Sequence, residues 1–124
     1  MNASVPQTRK RLGHILLGLA MVVFFPFVLL GALVPSNEYQ AIGIDGAVDC
    51  DGPLGTVLLA IPPLIVYLAG FISFLRLARS SRRIGSIIVV VFAALVCVAL
   101  FVNMSNALRE LTSPAHVESC GAGV

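Results

Sequence analysis

Residues 76–83 read Arg-Leu-Ala-Arg-Ser-Ser-Arg-Arg, four arginines in eight positions. On both sides the chain is apolar and free of formal charge: Leu54 to Leu75 before it and Ile84 to Met104 after it. A helix rises about 1.5 Å per residue, so each run reaches roughly 30 Å, the thickness of a bilayer's hydrocarbon core. Two such runs joined by a short basic link predict a helical hairpin that leaves a membrane and re-enters it from the same side.

A third run lies upstream. Leu12 to Val34 is again uncharged, with His14 as its one strongly polar side chain, and the basic triplet Arg9, Lys10 and Arg11 precedes it. Residues 1–8 read as a disordered tip. Residues 35–53, PSNEYQAIGIDGAVDCDGP, interrupt the apolar pattern with Pro, Gly and the acids Glu38, Asp45, Asp49 and Asp51, and read as a loop. Ile42, Ile44 and Val48 give part of that loop the character of a membrane-surface segment. After Met104 the composition is mixed. Asn106 to Leu111 prolongs the third helix, Thr112-Ser113-Pro114 stops it, and the end reads as a flexible tail.

The expected fold is therefore all-α: an integral membrane protein of one domain with three transmembrane helices. The spans are 12–34, 54–75 and 84–104, with a loop at 35–53, a link at 76–83 and a tail at 105–124. Kinks are expected at Pro26, inside Phe24-Phe25-Pro26-Phe27, and at Pro62-Pro63. Proline removes a helical hydrogen bond, and in a bilayer the freed carbonyl must find a partner within the protein, so 54–75 is expected as one bent helix.

Composition supports this class. Of 124 residues, 58% are hydrophobic and 11% charged, about half the charge of a soluble domain. That excludes a soluble enzyme, a disordered chain and a nucleic-acid-binding module. Four clustered arginines with no interleaved aromatic residues do not make a nucleic-acid surface.

The net charge of +2 conceals a segregation. Arg9, Lys10, Arg11, Arg76, Arg79, Arg82 and Arg83 flank one set of span ends. Glu38, Asp45, Asp49, Asp51, Glu110 and Glu118, with the single base Arg109, flank the other. Short basic loops stay in the cytoplasm, so the N-terminus and the link are expected inside, and the acidic loop and C-terminus outside. The basic residues are also expected to contact anionic lipid or a cytoplasmic partner, and the acids to form an outer surface. The first run is too long for a cleavable signal, whose apolar core spans about 7–15 residues, and reads as an uncleaved anchor.

Under this topology Cys50 and Cys120 share the oxidising face, so a disulfide between them is expected. Cys97 lies inside the third span as an apolar thiol. A metal is not expected. His116, Glu118 and Cys120 near Asp49, Cys50 and Asp51 lack a ligand spacing, and the Asp49-Cys50-Asp51-Gly52 run lacks the rest of a calcium loop. No cofactor or small-molecule substrate is implied.

No Asp, Glu, Lys or Arg lies within the spans, where transporters place ionisable groups. Tyr67 and Thr56 are expected to bond to backbone or neighbours; Asn103, Ser105 and Asn106 cluster at one span end as caps, headgroup ligands or partner contacts. Small residues four apart, Ala69/Ser73 and Ala93/Cys97, allow close helix approach. The expected function is non-catalytic: an accessory or stabilising subunit of a larger complex in the cell membrane, partnered by the lipid bilayer and other integral membrane subunits. The alternatives are a membrane immunity or binding protein acting through its loop and tail, and a small oligomeric transporter or channel.

Overall fold

A computed structural model describes residues 5–81 and 83–121, with side chains from residue 9 onward. Among these residues there is no strand. Five helices follow in order: α1 Val5–Leu33, α2 Glu38–Ala41, α3 Gly52–Ser81, α4 Ile84–Leu111 and α5 Pro114–Cys120. Three of them, over Arg9–Leu33, Gly52–Ser81 and Ile84–Leu111, are long and apolar enough to cross a membrane.

The helices outrun the apolar stretches. α1 takes in Val5–Thr8, part of the expected disordered tip; residues 1–4 lie outside the described residues. α3 absorbs Arg76 to Ser81, so the basic link shrinks to positions 82 and 83, and α4 begins at once with Arg83 as its N-cap. α4 continues to Leu111, consistent with helical prolongation beyond Met104. The arginine-rich segment has no helix breaker, and arginine is a good helix former, so polarity alone did not end the helix. Proline does not end it either. α1 runs unbroken through Pro26, and α3 through Pro62 and Pro63.

The main correction concerns the tail. Residues expected to be flexible form α5, with Ser113 Oγ accepting from the His116 amide at 3.2 Å and Pro114 in the first turn. Both features are strong helix-start signals. The loop is also more ordered than its composition implied. Asn37 caps α2, and Gly43 and Gly46 take φ of 84° and 79° where the chain turns back toward α3. Asp49 Oδ1 accepts from the amides of Asp51 (3.2 Å) and Gly52 (3.0 Å), closing the N-terminus of α3.

α3 and α4 pair most closely, α1 packs mainly along α3, and α1 and α4 touch over a shorter stretch. The core is narrow: Met21, Val28, Ala60, Tyr67, Ala93, Val96 and Leu100. Small residues set its tightest points. A Cβ on Gly31 would stand 3.1 Å from both Ala60 Cα and Leu100 Cδ2, so α1, α3 and α4 converge there. A Cβ on Gly70 would stand 2.6 Å from Met21 Sδ, so Met21 rests on bare α3 backbone. Of the pairs picked from spacing, only Ala93 is fully buried; Ala69 is exposed. Large apolar side chains cover the outside of the bundle, among them Ile15, Val22, Ile65 and Leu95, each more than half exposed. Exposed apolar surface this extensive marks a membrane or protein contact face.

Candidate functional site

Charge divides the molecule into two ends. α1 runs antiparallel to α3, and His14 meets Phe74 edge-on at 5.8 Å, so the start of α1 lies beside the end of α3. Arg9, Lys10 and Arg11 therefore gather at the same end as Arg76, Arg79 and Arg83, all exposed. Arg82 lies outside the described residues. His14 Nδ1 lies 2.7 Å from the Lys10 carbonyl one turn back. Lys10, Gly13, His14, Leu17 and Ser73 line a small hollow of about 250 Å³ between α1 and α3.

The opposite end carries the acids and the densest polar construction in the chain. Cys50, just before α3, and Cys120, the last residue of α5, lie at disulfide distance with Cα atoms 5.6 Å apart. His116, buried, sits one turn before Cys120, its Nδ1 3.9 Å from the sulfur. Beneath them Asn37 uses its whole hydrogen-bonding capacity. Oδ1 accepts from the amides of Tyr39 and Gln40, while Nδ2 donates to the Ala47 carbonyl at 2.9 Å and to Glu110 Oε1. The other Glu110 oxygen accepts from Ser36 Oγ at 3.1 Å. One carboxylate near the end of α4 thus holds the chain where it leaves α1.

The six acids consequently do different things. Glu38, Asp45, Asp51 and Glu118 are exposed, whereas Asp49 serves as a helix cap and Glu110 is half-buried as an acceptor. Arg109 stays exposed and joins Gln40, Val48, Glu110 and Ser113 around a hollow of about 350 Å³. Among the described residues no three His, Cys, Asp or Glu side chains come together as a metal-binding group.

Two polar side chains between the helices, Asn103 and Tyr67, are spent on backbone. Asn103 Nδ2 donates to the carbonyls of Gly31 (2.8 Å) and Val34 (3.0 Å), covering the end of α1, where carbonyls have no helical partner. Of the roles considered for Asn103, capping is the one adopted, and the cap is of a neighbouring helix. Tyr67 is 1% exposed and its hydroxyl donates to the Met21 carbonyl at 2.8 Å. Met21 immediately precedes Val22, whose carbonyl would have bonded the amide that Pro26 lacks. No buried side-chain nitrogen or oxygen among the described residues is left without a partner.

An apolar groove opens on the basic side of the Phe25–Phe92 contact, whose ring centroids are 6.2 Å apart. α1 and α4 form its walls and α3 its floor, with Gly18, Met21, Val22, Phe25, Tyr67, Phe74, Val89 and Phe92 as its lining, and it encloses about 410 Å³. Sequence gave no sign of it, because all three helices are apolar on every side. No protein-family model, curated protein or solved structure matches this chain.

Proposed function

We propose that the chain is a non-catalytic, multi-pass protein of the cell membrane that serves as an accessory or stabilising subunit of a larger membrane complex. Its N-terminus and basic link face the cytoplasm, and its acidic loop and α5 face outward. The basic residues meet anionic lipid or a cytoplasmic partner, and the exposed acids form the outer surface.

One observation carries the reading. Tyr67, on Met21, and Asn103, on Gly31 and Val34, are committed to holding helices together, while the apolar flanks stay open. A transport pathway needs polar groups free to exchange partners with a solute. A packing module needs rigid internal bonds and an apolar exterior, since helix association in lipid rests on close packing and interhelical hydrogen bonds. The clamp of α5 and the 35–51 loop on the outer end adds to that rigidity.

Purification in a mild detergent after cross-linking in intact membranes tests the proposal. The expected result is a stoichiometric complex with a larger integral membrane protein. A solitary protein that protects cells from a co-encoded toxin would replace this reading with an immunity function. Solute flux through liposomes holding this chain alone would replace it with transport.

A further inference from the structure

We propose that the groove between α1, α3 and α4 is a binding site for one anionic phospholipid of the leaflet at the basic end, an acyl chain lying in the groove and the headgroup held by Arg11. The inference rests on the chain spanning a bilayer, and not on the accessory role.

The first support is the lining. Every residue around the groove is apolar except Tyr67, whose hydroxyl is taken by the Met21 carbonyl. The groove thus offers nothing to a polar group and suits hydrocarbon. The second is Gly18. Gly31 and Gly70 are small because another helix presses on them, but a Cβ on Gly18, like one on Gly13, Gly55 or Gly85, would meet nothing within 4 Å, and Gly18 is the one of these four that lines the groove. Glycine costs about 0.5–1 kcal/mol in a helix relative to alanine, and at Gly18 no helix contact offsets that cost. Its missing side chain leaves space in the groove wall.

The third is size. The groove holds about 410 Å³. The volume lies within the range of small-ligand sites, about 300–1,000 Å³. The fourth is charge. Arg11, Gly18 and Phe25 repeat at seven residues and share one face of α1, which puts Arg11 about 10 Å beyond Gly18 toward the basic end. Arg83 caps α4 at the same end but, nine residues before Phe92, stands on the side of α4 turned away from the groove. One cation thus stands on the groove's own face of α1, beyond the basic end of an apolar slot. That arrangement complements a phosphate-bearing headgroup on a hydrocarbon chain.

Native mass spectrometry of the detergent-purified protein, titrated with phosphatidylglycerol or phosphatidylcholine, tests this. The wild type is expected to carry one tightly held phospholipid and to prefer phosphatidylglycerol by about tenfold. Gly18→Leu should abolish that single site while the helical circular-dichroism signal and the Cys50–Cys120 pairing persist. Arg11→Gln should bring the two lipids to equal affinity without emptying the groove, and Arg83→Gln should leave the preference unchanged. Equal affinity in the wild type, or a retained site in Gly18→Leu, would overturn the proposal. So would a cross-linker placed at Val22 that captures a protein helix in place of lipid. A reporter on the C-terminus of the same preparation reads topology separately. Lipid binding with an inverted reporter would sink the orientation and keep the site.

Discussion

Asn103 shows how one amide can decide how two helices meet. It donates both of its hydrogens to backbone on α1 and just beyond it, at the point where Gly31 lets α1 close on Ala60 and Leu100. The chemistry needed is donation, which separates two substitutions of similar size. Asn103→Leu removes the donors and should cost about 1–2 kcal/mol, the upper part of the range for interhelical bonds in membranes. Asn103→Asp keeps the shape but turns a carboxylate toward two carbonyls, and should cost more. Unfolding in graded denaturing detergent measures both, and an Asp variant as stable as wild type would refute the donor role. Gly31→Val acts at the same spot through sterics. A side chain there meets backbone and Leu100, and overpacking of this kind costs about 1–3 kcal/mol. That Asn103 is polar near a span end was legible in sequence. That it reaches another helix was not, because the bond spans some seventy residues and leaves no local pattern.

At the scale of elements the disulfide-distance pair and the Glu110 network act on the same end of the molecule. α5 has seven residues, too few to be helical alone in water, and so depends on its attachments. Cys50 and Cys120 are 70 residues apart, and closing a loop of that length is worth about 2–4 kcal/mol. Cys120→Ser should therefore melt α5 and lower overall stability by about that amount, leaving α1, α3 and α4 helical. Amide hydrogen exchange checks it: fast exchange confined to the chain beyond Thr112 is the expected result, and unchanged protection of α5 would exclude the disulfide as its anchor. Glu110→Ala should loosen the other attachment, since Ser36 and one hydrogen of Asn37 lose a charged acceptor, at a cost of about 2 kcal/mol. Pairing of the two cysteines followed in sequence from their shared compartment. α5 did not, although Ser113 before Pro114 was a readable start signal, because glycines close behind it gave the stretch the composition of a tail.

For the whole molecule, three helices were readable because hydropathy and length need no knowledge of packing. Their arrangement was not, since helices apolar on every side carry no stripe to mark the buried face. The segregation of charge was readable and is also what the proposed orientation depends on. Under that orientation, replacing Arg76, Arg79, Arg82 and Arg83 with Gln would remove the positive charge proposed to retain the link in the cytoplasm, while the three N-terminal cations still favour the original direction. The expected outcome is a mixed population in which part of the chains expose the link outside. Cys50 and Cys120 then report on orientation without any label. Both oxidise only where they reach an oxidising compartment, so chains with a reversed α3–α4 hairpin should keep free thiols at these positions. The fraction alkylated before reduction should rise together with the fraction of a C-terminal reporter found inside. Thiols that stay fully paired while the reporter moves inside would separate the disulfide from the topology and break the proposed link between the arginines and the clamp.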